Sequence, residues 1–67
     1  MIRLHLNSEE IIETNFTIDD INKNISDKIS GFIEIYGNMY DKYGNLIVKQ
    51  TTLYVDKYAI DVIEIKN

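Results

Sequence analysis

The sequence predicts an α+β domain in which one amphipathic helix packs on a small antiparallel sheet, in the order ββαβββ. Four isoleucines, Ile18, Ile21, Ile25 and Ile29, recur at the three- and four-residue intervals that form one stripe of a helix. On both sides of this segment apolar residues alternate with polar ones, which is the period of a half-buried strand. The 67 residues are enough for one domain, so we assign 1–67 to a single unit.

The first two strands are predicted from the opening residues. In "MIRLHL", Ile2, Leu4 and Leu6 alternate with Arg3 and His5, so the apolar set faces one side and the two basic residues face the other. The polar stretch "NSEE" is turn-like, and "IIET" returns as the second strand of a hairpin. The pattern leaves open which of the two isoleucines in "IIET" faces inward.

Capping residues mark where the predicted helix begins and ends. Thr17 occupies the N-cap position, and Asp20 lies three residues later, in the capping-box position. Phe16 and Ile21 are spaced as a hydrophobic staple across this cap. Gly31 follows the last apolar residue of the stripe and suits the left-handed conformation that ends many helices.

The residues after the helix switch to the period of two that is typical of strands. In "GFIEIYGNMY", Ile33, Ile35 and Met39 share one face, with Gly37 as a gap in it. In "NLIVKQTTLYVD" the apolar residues before Gln50 are out of phase with those after Thr51, so we expect either a bulge near these two residues or a break of the strand there. The first set is Leu46 and Val48, and the second set is Leu53 and Val55. The last strand, "DVIEI", is predicted to direct Ile63 and Ile65 inward.

The segment "DKYGN" has the beginning of a calcium loop, but its spacing favours a turn. A calcium loop of the helix–loop–helix type needs an oxygen ligand at position three and a bidentate glutamate at position twelve. Counted from Asp41, these positions hold Tyr43 and Thr52. Asp41 and Gly44 instead suit the first and fourth positions of a type I turn between two strands. We therefore expect no metal here.

No group of residues in the sequence has the pattern of a catalytic site. His5 is the only histidine, and we expect its ring on the solvent side of a strand, near the only arginine, Arg3. The chain has no cysteine, which excludes disulfides and thiolate metal sites. Neighbouring acidic residues point in different directions on a helix or strand, so they do not form a shared site. The protein is predicted to be non-enzymatic and to use no cofactor.

The distribution of charge along the chain predicts one candidate surface. The formal net charge is −4, which disfavours direct contact with a phosphate backbone and permits attraction to basic protein surfaces. Acidic residues concentrate in the first third of the chain and form either a solvated face or a patch that docks on a basic groove. They are Glu9, Glu10, Glu13, Asp19 and Asp20. No secretion signal or membrane-spanning stretch precedes them, so we expect a cytoplasmic location.

All five tyrosines lie in the C-terminal half, and four of them form the candidate protein interface: Tyr36, Tyr40, Tyr54 and Tyr58. By strand phase, the first three lie on the sheet face that is turned away from the helix. Tyrosine offers a large contact area at small entropic cost, which suits an interface. The alternative is that tyrosine merely prefers strands and forms cross-strand pairs.

The chain resembles small proteins encoded by phages and prophages of AT-rich bacteria, which are short, proline-free and rich in Ile, Asn and Lys. Its last residues, "TTLYVDKYAIDVIEIKN", are similar to a terminal hairpin common in such proteins. The resemblance implies a module that binds and inhibits a host enzyme or defence complex, as anti-CRISPR proteins do. We expect a protein partner and a homodimer.

Two other functions stay open. Lys42, Lys49 and Lys57 lie near tyrosines in the sequence, which would suit a small sheet protein that binds single-stranded nucleic acid by stacking. The third possibility is a structural protein that assembles only with itself.

Overall fold

The computed structural model describes residues 1–23 and 31–66. Within them the protein is mostly β, with one antiparallel five-stranded sheet and one short helix, in the predicted order ββαβββ. The elements are β1 (Ile2–Leu6), β2 (Ile11–Thr14), α1 (Ile18–Lys23), β3 (Phe32–Tyr40), β4 (Leu46–Asp56), a 3-10 turn (Lys57–Ala59) and β5 (Ile60–Ile65).

The strand order is β4-β3-β2-β1-β5, so β4 and β5 form the two edges of the sheet. β5 pairs antiparallel with β1, and Leu4 lies opposite Ile63. The expected terminal hairpin is therefore wrong, because the last two strands are not neighbours. Strand alternation predicts that a segment is extended but carries no information about which strand it pairs with.

The sheet is strongly curled. β4 and β5 run in the same direction at opposite edges, yet only the 3-10 turn joins them. At one end of this turn Lys57 N–H donates to the carbonyl of Gly31, which precedes β3. At the other end Asn7 N–H, just after β1, donates to the Ala59 carbonyl. A flat sheet would hold these two sites far apart, so the strands must twist enough to bring the end of β4 near the start of β5.

The core lies on the concave face of the sheet. Its buried apolar residues come from four strands and the helix: Ile2, Leu4, Ile12, Ile21, Ile33, Ile35 and Val55. Ile12 is fully buried whereas Ile11 is only half-buried on the convex face, which settles the ambiguity of the second strand. Thr14 is buried as well, and its hydroxyl both donates to the Tyr36 carbonyl at 2.7 Å and accepts from Phe16 N–H.

The helix begins as the capping residues predict. Asp20 N–H donates to Thr17 Oγ1 at 3.1 Å, and Thr17 N–H donates to Asp20 Oδ2 at 2.9 Å, which is a reciprocal capping box. Ile21 is buried in the core, but Ile18 is 37% exposed and lies at the rim of the apolar stripe. Ile25 and Ile29 lie outside the described residues. Gly31 has the expected positive φ of 82°.

The predicted bulge is present in β4. The pairing shifts between Gly37, opposite Thr51, and Met39, opposite Val48, which leaves Gln50 as an extra residue with a φ of 40°. The Asn38 side chain accepts a hydrogen bond from the freed Gln50 N–H at 2.6 Å. The bulge therefore brings Val48 into phase with Leu53 and Val55 on the inward face. Leu46 does not face inward as predicted, because a second register shift between Met39 and Tyr40 places it opposite Tyr40 on the convex face.

The last strand faces inward as predicted but is not buried. Ile63 and Ile65 lie opposite Leu4 and Ile2, so their side chains share the concave face with the core, but they are 44% and 64% exposed. Because β5 is an edge strand, these isoleucines have a neighbouring strand on one side only, which explains their exposure.

Candidate protein interface

The convex face of β3 and β4 presents two exposed tyrosines side by side. Tyr36 lies opposite Thr52, and Tyr54 lies opposite Glu34, so the two tyrosines occupy diagonal positions on adjacent strands. Side chains at such positions can reach each other. They are 51% and 48% exposed, which confirms that both rings lie on the surface and not in the interior.

Tyr40 extends this face toward the β3–β4 turn. It lies opposite Ile11 on β2 and Leu46 on β4, so apolar side chains flank it on both sides. Tyr40 is half-buried and lines a shallow groove of about 310 Å³ together with Arg3 and Glu13. We use the name tyrosine face for Tyr36, Tyr40, Tyr54 and Leu46.

Tyr58 does not belong to the tyrosine face. It lies in the 3-10 turn, where Lys57 Nζ is 5.1 Å from the centroid of its ring. Lys42 Nζ lies in the same way 5.2 Å from the ring of Tyr43, in the β3–β4 turn. Two of the three lysines that were expected near the tyrosines therefore contact turn residues rather than the tyrosine face.

The tyrosine face carries negative charge at the end formed by Tyr54. The Tyr54 hydroxyl donates a hydrogen bond to Glu34 Oε1 at 2.9 Å, across the β3–β4 pair. This bond and the charge of Glu34 raise the pKa of the Tyr54 hydroxyl above its ordinary value. Tyr54 thus stays neutral at physiological pH, and its ring is held in one position by the bond.

A row of four ionisable side chains crosses the convex face of β2, β1 and β5. Arg3 Nε donates to Glu13 Oε2 at 2.8 Å, and His5 Nε2 lies 3.0 Å from Glu64 Oε1. The hydrogen bond to His5 is the main reason why the pKa of the Glu64 carboxyl is lower than its ordinary value. The strand alternation placed Arg3 and His5 on this face correctly but gave no partner for either, because their partners depend on strand pairing.

The acidic residues of the first third are not brought together on one surface. Glu9 and Glu10 lie in the β1–β2 loop, where Glu9 is 3.6 Å from Lys42 and Glu10 accepts from Ser8. Glu13 is paired with Arg3 on the convex face. Asp19 and Asp20 begin the helix, beyond the other end of β2. Sequence proximity alone suggested a patch, and strand direction separates its members.

The β3–β4 connection is a turn held by the side chain of Asp41. Gly44 N–H donates to the Asp41 carbonyl at 3.0 Å, and Gly44 has a φ of 85°, as the turn interpretation predicts. Asp41 Oδ1 accepts from the N–H groups of Tyr43 and Asn45 at 2.9 and 2.8 Å. Both carboxylate oxygens are therefore engaged with the turn itself, since Oδ2 accepts from the Asn45 side chain.

Two absences hold for the described part of the chain. Residues 1–23 and 31–66 contain no cluster of three or more His, Asp or Glu side chains positioned to hold a metal ion. No helix within the same residues is long and apolar enough to cross a membrane. Comparisons of the chain with protein-family models, with curated proteins and with solved structures found no match.

Proposed function

We propose that this chain is a non-enzymatic protein-binding module, of the kind that a phage uses to occlude a surface of a host enzyme or defence complex. The observation that carries the proposal is the exposure of Tyr36 and Tyr54 as neighbours on the convex face. Exposed aromatic rings that adjoin apolar side chains are typical of the centre of a protein interface.

The charge of the tyrosine face indicates the chemistry of the partner. Glu34 lies on β3 directly opposite Tyr54, and the formal net charge of the chain is −4. A partner surface with arginine or lysine would be attracted to this face, and its guanidinium groups can stack on the tyrosine rings.

This proposal is favoured over binding of single-stranded nucleic acid. Stacking of bases on tyrosine needs basic side chains beside the rings to follow the phosphates. Lys42 and Lys57 lie over Tyr43 and Tyr58 instead, and Lys42 also approaches Glu9. Of the three lysines named in the sequence analysis, Lys49 on β4 is the one that contacts neither of these turn tyrosines, and Arg3 beside Tyr40 is already paired with Glu13.

The test is affinity capture from a bacterial lysate with three immobilised forms of the protein. We expect the wild type to retain a specific protein and the double variant Tyr36→Ala/Tyr54→Ala to bind it at least about tenfold more weakly, since central tyrosines contribute more than about 1 kcal/mol each. Tyr43→Ala removes an exposed tyrosine of the β3–β4 turn and serves as the matched control, with unchanged binding.

Two results would contradict the proposal. One is a wild-type protein that retains no partner, and the other is equal retention by the wild type and the double variant. A gel shift with short oligonucleotides at low salt completes the test, because binding there would favour the nucleic-acid function.

A further inference from the structure

The outer edge of β5 has backbone groups that no strand within residues 1–23 and 31–66 uses. Lys66 N–H donates to the Met1 carbonyl at 2.9 Å, and the Met1 amino group donates back to Lys66, so these two residues form a hydrogen-bonded pair. Hydrogen-bonded and non-hydrogen-bonded pairs alternate along an antiparallel ladder. Ile63 and Ile65 therefore direct their N–H and C=O groups away from β1, toward the free edge.

The same two residues also present apolar side chains to solvent. Ile63 and Ile65 are 44% and 64% exposed on the concave face. A groove of about 280 Å³ continues from Ile65 past Phe16 to Ile18, the exposed end of the helix stripe. Apolar side chains beside an unpaired strand edge are the features that β-strand addition uses.

The other edge of the sheet is less suited to pairing. β4 changes register twice opposite β3, between Gly37 and Met39 and between Met39 and Tyr40, and Gln50 has a positive φ. Bulges of this kind interrupt an edge and twist it away from a flat partner. From Val62 to Ile65, β5 follows β1 without a shift, and its one irregularity lies before Val62.

We propose that a second copy of this chain pairs antiparallel with β5 about a two-fold axis that passes beside Glu64. Ile63 then lies opposite Ile65 of the partner subunit, and the symmetric pair repeats the contact. This register forms four backbone hydrogen bonds and gathers four isoleucines on the concave face. The two five-stranded sheets join into one continuous sheet.

The pattern of side chains favours this register over the one whose two-fold axis passes beside Ile63. An axis at Ile63 would place Asp61 opposite Ile65 of the partner subunit and so set a carboxylate against apolar side chains. With the axis at Glu64, Lys66 of the partner subunit lies diagonal to Glu64 on the convex face. The two Glu64 carboxylates face each other across the axis, and this like-charge contact is offset by the two diagonal lysines and by the bond of each Glu64 to His5 of its own chain.

The dimer would give the proposed binding module two copies of its tyrosine face, and the dimer proposal does not depend on that function. The tyrosine face lies on β3 and β4, and β2 and β1 separate these strands from β5. Pairing at β5 therefore leaves both copies of the tyrosine face free, and the dimer is bivalent toward a protein partner. Bivalency can raise the overall affinity without any new contact.

Sedimentation equilibrium of the full chain is the first test. We expect a wild-type dimer, and we expect Ile65→Pro to be monomeric with an unchanged far-ultraviolet circular dichroism spectrum, because the Ile65 N–H does not bond to β1. Ile47→Lys places a charge on the opposite edge, β4, and should remain dimeric. A wild type that is monomeric at several hundred micromolar overturns the proposal, as does a folded Ile65→Pro variant that still dimerises.

Oxidative cross-linking tests the register and does not depend on how Ile65→Pro folds. Residues opposite each other at a non-hydrogen-bonded position have Cα atoms about 4.5 Å apart, which a disulfide can span. The chain has no cysteine of its own, so Glu64→Cys should form a covalent dimer, whereas Val62→Cys, two residues from the axis, should not. Cross-linking of Val62→Cys but not of Glu64→Cys overturns the proposed axis. Neither test involves the tyrosine face, so failure of the dimer and failure of protein capture are distinguishable.

Discussion

Gly37 is the residue at which one added atom would disturb the sheet most. It lies on β3 opposite Thr14, and a Cβ built on it would overlap the backbone carbonyl oxygen of Glu13. The missing side chain therefore lets β2 and β3 approach closely beside the buried Thr14. Because the obstacle is backbone and not the end of a flexible side chain, the sheet can relieve it only by separating the strands.

We expect Gly37→Ala to lower the free energy of unfolding by about 3 kcal/mol, the upper end for overpacking in a well-packed core. Gly44→Ala is the matched control, because a Cβ there meets nothing within 4 Å and only the positive φ is strained. The control should cost about 1 kcal/mol. Urea unfolding followed by circular dichroism measures both, and an equal loss in the two variants would contradict the close approach.

At the scale of elements, the period of side chains predicted strand faces well and strand partners poorly. The phase break in β4 predicted the bulge at Gln50, because a period of two needs one extra residue to keep Val48 on the same face as Leu53 and Val55. The same alternation placed Tyr36 and Tyr54 on the outer face. It could not show that β5 pairs with β1, nor that His5 meets Glu64, because these contacts join residues 59 positions apart.

The helix shows the same division between local and long-range information. Its capping box involves residues three positions apart, so the spacing of Thr17 and Asp20 was sufficient to predict it. The amount of burial along the stripe depends on which strands cover it, and Ile18 proved to be partly exposed.

The β3–β4 turn should be sensitive to acid. Hydrogen bonds from the backbone of Asn45, and then from its side chain and the Tyr43 backbone, hold the pKa of the Asp41 carboxyl below its usual range. A carboxyl whose pKa is lower in the folded state stabilises the fold above its unfolded pKa of about 3.9, and this contribution disappears as the pH falls through the folded pKa.

We therefore expect Asp41→Asn to unfold at lower urea concentration than the wild type at pH 6, with the difference shrinking as the pH falls from about 4 toward 2. Urea titrations at three pH values measure the midpoint of each protein. A difference that stays constant over this range would show that the charge of Asp41 does not support the turn.

At the scale of the whole molecule, stability depends on a small core. A domain of this size buries only about 60% of the surface of its unfolded chain, and its core rarely supplies more than about 3–5 kcal/mol. Ile35 is fully buried on β3, which has a neighbouring strand on each side. The loss of a single side chain at such a position is comparable with the stability of the entire fold.

Ile35→Ala is expected to cost about 2–5 kcal/mol, the range for removing a large buried aliphatic side chain, and so to leave the protein largely unfolded at 25 °C. Ile47→Ala, a half-exposed isoleucine of β4, should change the free energy of unfolding by less than about 1 kcal/mol. Thermal unfolding by calorimetry compares the two. A cooperative transition retained by Ile35→Ala near the wild-type temperature would contradict this account of the core.

The pairing of β1 with β5 also sets the order of events when the protein is made. Met1 and Lys66, which are 65 positions apart, are hydrogen-bonded neighbours, so the first strand leaves the ribosome long before its partner in this ladder. Until then Leu4 lacks one of its two flanking strands. Closing so long a loop is slow compared with forming a local hairpin. The sheet can therefore be completed only after residues 60–65 have been made, and its first strand must wait until then with one side uncovered.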